Sequence, residues 1–309
     1  MNTGDWWWDT EDQHPAGAMI VPVICASDKT HLPDFSGDHL AWPLYHVIRN
    51  NPKYIRRTHT KQAWIVVGLI PCTLKGAKNT DKVWHFVVGT VLSALRNPDI
   101  TGTDLKWDCA DGFQRRCYPL LAAWVGDYQE QVMVAQVLYS SCPLCEIPKG
   151  VPIGHSTFQP HHNPRDQNVY FELLDETNIN VLHTLGVHPI CNRLLQYPLR
   201  NVYCVWQPDE LHQVLLGLLK DLLHWLLKYL KVRNVKDQFD NRFTSVPQYS
   251  GLQGFSKPFD SMKSGSWQGK QIRGMIRTLA VNCAPLFDCS QDAGKTAAET
   301  PSDEIVEMY

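Results

Sequence analysis

The chain has 309 residues, of which 44% are hydrophobic and 19% are charged, and its formal net charge is −2. This composition excludes an intrinsically disordered chain, because the apolar content is sufficient for a core. The near-neutral charge excludes a uniformly basic nucleic-acid-binding protein, so any such contacts must come from local basic patches.

Ten cysteines are present, but the first residues do not predict secretion. Residues 1–17 read as a loose acidic leader without the basic and apolar regions of a signal peptide. We therefore expect reduced thiols, which when clustered bind metal more often than they pair. The longest apolar run, 214–230, carries Lys220, Asp221, His224 and Lys228, so it predicts an amphipathic helix rather than a membrane span.

The first half of the chain predicts strands followed by a helix. Residues 19–27 are rich in β-branched side chains and predict a strand, and a second strand is predicted over 40–49, with an edge position or a bulge at Pro43. The almost wholly apolar run 63–71 predicts a buried third strand. Helical spacing of apolar residues then predicts a helix over 80–95.

The second half begins with another apolar strand and then becomes mainly helical. The strand is predicted over 117–125, and a helix over 128–139. No periodicity is found in 140–168, which we interpret as a loop or an inserted segment. Further helices are predicted over 178–185, 208–231, 235–246 and 268–282. Residues 290–309 are polar and acidic and predict a disordered tail.

Two acidic residues directly follow predicted strands. Asp28 comes after the first strand and Asp127 after the strand 117–125. In a mixed sheet, neighbouring strands can bring such carboxylates to one ion, and Mg²⁺ prefers oxygen ligands. The alternative is a turn or helix-capping role, which is common for aspartate after a strand.

Cys142 and Cys145 form a C-x-x-C motif, and Asp209 and His212 form a D-x-x-H motif. Two thiolates at this spacing can supply half of a tetrahedral zinc site. Two ordinary buried thiols are the alternative, and Asp209 and His212 can equally be a helix cap and a half-buried core residue. Candidates for the remaining zinc ligands are His155, His161, His162, Cys191 and His212.

Long composite blocks of the chain resemble the Plavaka-type transposases of mushroom-forming fungi, which are related to the CACTA and Kyakuja-Dileera-Zisupton groups. The resemblance covers about 4–290. Its densest blocks are GDWWWDT (4–10), PVICASDKTHLPDFSGDHLAWPLY (22–45), CADGFQRRCYPLLAAWVGDYQEQ (109–131), CPLC (142–145), LGVHP (185–189) and QPDELHQVLLGLLKDLLHW (207–225).

The resemblance implies a role for individual residues. Asp28 of the SDKT block and Asp127 of the GDYQEQ block match the first two metal-binding carboxylates of a DDE transposase. Cys142, Cys145 and His212 match zinc-type ligands in an insertion behind the second aspartate. Asp111 is interpreted as a structural or accessory carboxylate. Candidate DNA contacts are Lys29, Arg56, Arg57, Arg115 and Arg116, although adjacent basic residues are often only solvated pairs.

The resemblance also implies the fold, the cofactors and the partners. We expect an α/β, RNase-H-like mixed sheet with flanking helices in 18–139, a mainly helical zinc-type insertion in 140–289, a flexible leader in 1–17 and a disordered tail in 290–309. Mg²⁺ or Mn²⁺ would serve DNA strand cleavage and strand transfer, with Zn²⁺ in the insertion. The expected partners are the transposon ends and the target DNA, together with further copies of the chain in a homo-oligomer. We also expect a nuclear location and no membrane association.

The chain departs from the family at its end, where no match to the third carboxylate follows residue 290. Loss of one member of a catalytic unit lowers rates by several orders of magnitude. The sequence therefore predicts a transposase remnant that is impaired as an enzyme. Two alternatives stay open: a non-catalytic DNA-binding or regulatory module from a captured transposon, and a gene fragment without function.

Overall fold

A computed structural model of the chain describes residues 4–31, 40–72, 80–95, 106–146, 163–175, 179–189, 192–197, 201–206, 209–248, 255–256 and 269–286. The chain divides into two compact units, Met1–Asp209 and Glu210–Tyr309. This division falls later than the predicted boundary between 139 and 140, and side chains from both sides of that predicted boundary share the core of the first unit.

A five-stranded mixed sheet is the centre of the first unit. Its strands in chain order are β1 (Met19–Ser27), β4 (Pro43–Ile48), β5 (Ile65–Leu69), β6 (Lys106–Asp108) and β7 (Gln114–Val125). Their spatial order is β5-β4-β1-β7-β6. A separate two-stranded ribbon pairs β2 (Thr30–His31) with β3 (Leu40–Ala41). The structure thus confirms an α/β fold with a mixed sheet.

The central strand β1 pairs with neighbours of opposite direction on its two sides. It runs antiparallel to β4, with Ser27 opposite Leu44, and β4 runs antiparallel to β5, so the three strands predicted in succession form an antiparallel meander. On its other side β1 runs parallel to β7, with Ala26 beside Val125. Parallel neighbours need a long crossover, and here the crossover includes the helix between β5 and β6.

The central strand β1 and the edge strand β5 differ in how deeply their side chains are buried. In β1 the residues from Ile20 to Cys25 are all buried, as a near-continuous apolar run predicts. The equally apolar strand β5 was predicted to be buried, and that prediction is wrong. It lies at the sheet edge, and Ile65, Val66 and Leu69 are exposed. An apolar run does not by itself distinguish a central strand from an edge strand.

The described residues of the first unit form six α-helices: α1 (Asp5–Glu11), α2 (Lys53–Arg57), α3 (Thr80–Val91), α4 (Tyr128–Ala135), α5 (Gln167–Asp175) and α6 (Ile179–Thr184). The predicted helices at 80–95, 128–139 and 178–185 correspond to α3, α4 and α6. Helix α1 forms within the predicted leader, and α5 begins at the end of the aperiodic segment 140–168.

Three buried tryptophans organise the core of the first unit. Trp84 of α3 lies 5.3 Å from Trp124 of β7, and Trp124 lies 6.4 Å from Trp206, measured between ring centroids. All three side chains are at most 2% exposed. Trp206 forms an isolated bridge beside Trp124, and the Trp124 amide donates to the Val205 carbonyl. This contact brings the chain at 201–206 onto the β7 side of the sheet.

A neutral histidine is buried next to this tryptophan cluster. His85 is 1% exposed, and its Nε2 donates to the Met133 carbonyl at 3.2 Å. Burial lowers the pKa of His85 to about 4, the Met133 hydrogen bond opposes this shift, and the positive charge of Arg193 adds to it. Protonation of His85 therefore works against the folded state.

Acidification should destabilise the protein through His85. Because the folded-state pKa lies below the unfolded value near 6.5, the stabilising contribution is complete above pH 6.5 and is lost as the pH falls through about 4. We expect the unfolding free energy to fall by up to about 3 kcal/mol between these values. Urea titrations should show that His85→Gln lacks this loss and that His183→Gln, at an exposed histidine of α6, keeps it. Equal pH profiles for His85→Gln and wild type would contradict the assignment.

The second unit is helical in its described part. A π-helical segment, Glu210–Leu218, continues into α7 (Leu219–Val232), and α8 (Lys236–Thr244) and α9 (Gly269–Cys283) follow. Residues of these helices and Phe255 form a second apolar core, in which Phe239, Phe243 and Phe255 stack. The helix predicted over 208–231 is thus π-helical in its first half and α-helical in its second half. Among the described residues, no helix combines the length and apolarity that crossing a bilayer requires.

Candidate carboxylate pair and thiol pair

Asp28 and Asp127 lie side by side at the same edge of the sheet. Each follows a strand by one or two residues, and β1 and β7 are parallel neighbours in the register Ile24–Ala123, Cys25–Trp124 and Ala26–Val125. Continuation of that register pairs Asp28 with Asp127. Adjacent strands are about 4.8 Å apart, so the backbones of Asp28 and Asp127 are neighbours at this end of the sheet.

The two aspartates differ in their local environment. Asp127 is the N-cap of α4, and its Oδ1 accepts from the Glu130 amide at 2.8 Å. Asp28 is exposed, and its Oδ2 accepts a long hydrogen bond of 3.4 Å from the Thr30 hydroxyl. Capping is therefore a real role of Asp127, but it engages only one of its two carboxylate oxygens.

A third carboxylate, that of Glu130, lies buried beneath the pair. Its side chain is 4% exposed and its Oε2 accepts from the Ser27 hydroxyl at 2.5 Å. The Trp124 indole donates to the same hydroxyl at 3.1 Å. Burial raises the pKa of Glu130 to about 7, the hydrogen bond from Ser27 opposes the rise, and the charges of Asp127 and Asp28 add to it.

Sequence reasoning assigned no role to Glu130, although a signal was present. Asp127 and Glu130 have the spacing of a capping box, in which the glutamate of the third helical position reaches back to the N-cap amide. Here the glutamate reaches instead across to Ser27 of β1. The pattern therefore predicts an inward-turned glutamate, but only the sheet pairing shows its partner.

Gly126 permits the close approach of α4 to the strand ends. A Cβ atom added at Gly126 would lie 2.7 Å from the Glu130 Cβ and 3.7 Å from the Ser27 carbonyl oxygen. Any larger residue would push the first turn of α4 away from β1. The Gln131 side chain also donates to the Gly126 carbonyl at 3.0 Å, which fixes the turn between β7 and α4.

The donor set at this edge fits a hard divalent cation. Two aspartate carboxylates at adjacent strand ends provide the oxygen ligands that Mg²⁺ and Mn²⁺ prefer. Across the described ranges, no three His, Cys, Asp or Glu side chains are grouped closely enough to hold a metal ion. The buried Glu130 carboxyl is engaged instead by the Ser27 hydroxyl.

The C-x-x-C segment is also built like half of a metal site. The Leu144 amide donates to the Cys142 sulfur at 3.4 Å. Cys145 forms an isolated antiparallel β-bridge with Pro164, and the Glu146 amide donates to the Asn163 carbonyl. Both cysteines are half-buried and unoxidised. Their chemistry fits a soft or borderline ion such as Zn²⁺.

Arg165 holds the C-x-x-C segment in place, and sequence reasoning gave it no role. It is 3% exposed, its Nε donates to the Cys142 carbonyl at 2.7 Å, and its Nη1 donates to the Leu185 carbonyl at 2.8 Å. Its own amide donates to the Leu144 carbonyl. An arginine in a proline-rich loop carries no periodic signal that could have predicted this burial.

Of the other predicted zinc ligands, His212 is the one that lies within the described residues. His212 is exposed on the π-helical segment Glu210–Leu218 of the second unit, whereas Cys142 and Cys145 belong to the first unit. The remaining candidates, His155, His161, His162 and Cys191, lie outside the described residues. The predicted four-ligand set therefore stays a prediction.

Most of the predicted DNA-contacting residues lie at the other end of the sheet from the carboxylate pair. Arg115 and Arg116 precede Cys117, which pairs with Met19 at the start of β1, and the strand rise of about 3.3 Å per residue places them roughly 30 Å from Asp28. Arg56 donates to Asn51 behind the end of β4, which is the same far end. Only Lys29 adjoins the pair, with its Nζ 5.4 Å from the centre of the Trp42 ring.

Asp111 has a structural role in the turn between β6 and β7. Arg115 donates to both of its carboxylate oxygens, at 2.7 and 2.6 Å, and the Phe113 amide donates to Oδ1. These hydrogen bonds, that of Arg115 first, lower the pKa of Asp111 to about 2. The charge of Arg115 is therefore already matched within the protein.

Comparison with known proteins identifies one family. The family model of the Plavaka transposases matches residues 1–226. This range contains the sheet, the carboxylate pair, the C-x-x-C segment and the first part of the second unit. No curated protein matches the chain.

Proposed function

The chain belongs to the Plavaka transposase family, and on that premise we propose that Asp28 and Asp127 are the first two carboxylates of a DDE-type site for metal-dependent DNA strand cleavage and strand transfer. The observation that carries the proposal is the parallel register of β1 and β7, which sets the two aspartates side by side. DNA is the partner that the transposase family implies.

The strand arrangement supports an RNase-H-like core. Three antiparallel strands in the order β5-β4-β1 are extended by a strand parallel to the first, and the two aspartates follow the two parallel strands. Carboxyl ends of parallel strands are where α/β proteins place their ligands. We assign this fold to residues 18–139, with β6 as an additional antiparallel strand.

The pair would hold Mg²⁺ or Mn²⁺. Such ions activate an attacking oxygen and stabilise the leaving oxygen of a phosphodiester. Asp127 is held by the Glu130 amide, so its second carboxylate oxygen is oriented before an ion binds. Asp28 is exposed and contributes its oxygens from the neighbouring strand end. Both side chains would bind and orient, and neither would form a covalent bond to DNA.

We also propose that cleavage by this chain is slow. Across the described residues, no group of three His, Cys, Asp or Glu side chains that could hold a metal ion is found. Two carboxylates leave more coordination positions to water and fix the ions less well than three. A loss of several orders of magnitude in rate is usual when a catalytic unit lacks one member.

The proposal has four further parts. Cys142 and Cys145 would bind Zn²⁺, and Lys29 would contact DNA near the reacting phosphate. The chain would assemble into a homo-oligomer and act in the nucleus. The sulfur–amide hydrogen bond at Cys142 supports the zinc part. The position of Lys29 directly after Asp28 supports the contact, because a cation there would balance phosphate charge.

The test is Mn²⁺-dependent nicking of supercoiled DNA by the purified chain. Wild-type protein should nick slowly, and Asp28→Asn and Asp127→Asn should each reduce nicking to background, because each removes one negative ligand. Asp111→Asn is the control, since Asp111 lies at the other end of the sheet and pairs with Arg115. It should nick like wild type.

Equal nicking by wild type and both ligand variants would overturn the proposal. DNA binding without nicking, unaffected by either substitution, would favour the alternative of a non-catalytic DNA-binding module. One observation supports that alternative, namely the position of Arg56 and Arg116 at the end of the sheet far from the carboxylate pair.

A further inference from the structure

We propose that Glu130 is a positioning residue that ties the end of β1 to the start of α4 and thereby keeps Asp28 beside Asp127. The tie itself is a statement about contacts within the fold. Its consequence for metal binding rests on the proposed function of the aspartate pair. No ligand role is assigned to Glu130.

One residue contacts both strand ends. The Glu130 carboxylate accepts from the hydroxyl of Ser27, the residue immediately before Asp28. The Glu130 amide donates to the carboxylate of Asp127. A movement of α4 away from the sheet would therefore break the contact to β1 and release the cap at the end of β7 in the same step.

The direction of the hydrogen bonds at Ser27 is determined by the Trp124 indole. An indole N–H only donates, so the Ser27 oxygen accepts from Trp124 and its single proton points to Glu130. The serine rotamer is thus fixed by two partners, one on β7 and one on α4. Ser27 is 2% exposed, so water does not compete for this proton.

Burial shows that the Glu130 carboxylate serves an internal contact. The side chain is 4% exposed and its backbone belongs to the first turn of α4. An apolar side chain would fill this space without the cost of burying a carboxyl group. What the carboxylate adds is a strong acceptor for Ser27 at a place where Gly126 allows the helix to approach closely.

The experiment compares Ser27→Ala, Glu130→Ala and Glu130→Gln in the full chain with two measurements. Mn²⁺ affinity is measured by electron paramagnetic resonance, and exchange of the residue 130 amide proton is measured by NMR. Loss of a group that orients a metal ligand commonly weakens affinity by about 10-fold or more. We expect that loss for Ser27→Ala and for Glu130→Ala.

Three further results are expected if the tie exists. The double variant Ser27→Ala/Glu130→Ala should lose no more Mn²⁺ affinity than either single variant, because both remove one contact. Glu130→Gln should remain close to wild type, because its amide oxygen still accepts from Ser27. The residue 130 amide should exchange about 10-fold faster in Ser27→Ala, with the Val134 amide later in α4 unchanged.

Wild-type affinity and amide exchange in Ser27→Ala would overturn the proposal, and so would additive losses in the double variant. If Glu130→Ala does not fold, Ser27→Ala still provides both measurements. If the wild-type chain binds no Mn²⁺, the proposed metal function fails. Amide exchange in Ser27→Ala then decides alone whether the tie exists.

Discussion

Replacing Asp127 by asparagine should weaken Mn²⁺ binding by more than about 100-fold, beyond the usual effect of losing an outer-shell partner, with almost no change in thermal stability. Asparagine caps a helix about as well as aspartate, so the hydrogen bond from the Glu130 amide is retained. What is lost is one of the two negative charges at the strand ends. Isothermal titration with Mn²⁺ and a thermal melt of the same sample measure the two effects separately.

The matched control is Asp166→Asn. Asp166 precedes α5 and accepts from the Asn168 amide at 2.9 Å, so it also caps a helix start. Asp166 does not follow β1 or β7, and its substitution should leave Mn²⁺ binding unchanged. Asp127→Ala should lose binding and in addition about 1 kcal/mol of stability through the missing cap. Retained Mn²⁺ affinity in Asp127→Asn would show that Asp127 is a capping residue only.

Gly186→Ala should destabilise the first unit by about 2–4 kcal/mol. Gly186 has a φ of +70°, a conformation that costs alanine about 1 kcal/mol or more. An added Cβ would also lie 2.8 Å from the Ser141 Cβ and still closer to its hydroxyl oxygen, and overpacking of this kind costs about 1–3 kcal/mol. Urea denaturation would measure the change in unfolding free energy.

Two variants separate the causes of this loss. Gly17→Ala shares the positive φ, at +81°, but an added Cβ meets nothing within 4 Å, so it should cost only about 1 kcal/mol. Ser141→Gly combined with Gly186→Ala removes the clashing atoms and should recover about 2 kcal/mol. A Gly186→Ala protein as stable as Gly17→Ala would show that the turn relaxes freely.

The adjacency of the two aspartates could be predicted from sequence because each ends an apolar strand. Parallel strands end at the same edge of a sheet, so residues directly behind them become neighbours. The helices α3, α4 and α6 could be predicted for a related reason, since apolar spacing near 3.6 residues identifies them. Patterns of one strand or helix were enough for these features.

Features that depend on a second element could not be predicted in this way. The apolar strand β5 lies at the edge of the sheet, where β4 is its one neighbour among the described strands. Glu130 turns to Ser27, a residue 103 positions earlier in the chain. Arg165 is buried because it donates hydrogen bonds to three carbonyl oxygens of other segments, those of Cys142, Leu144 and Leu185. Each of these depends on tertiary pairing that local patterns do not contain.

The pairing of β1 with β7 also determines when the site can exist during protein synthesis. Met19 pairs with Cys117, 98 residues later, whereas β1, β4 and β5 follow one another closely and can associate soon after they leave the ribosome. Until β7 is made, one edge of the apolar strand β1 is open to pairing with other chains. Contacts between such distant positions form slowly. The nascent chain therefore passes through a stage, lasting until about residue 130 has emerged, in which a half-finished sheet exposes an apolar strand edge that is prone to aggregation.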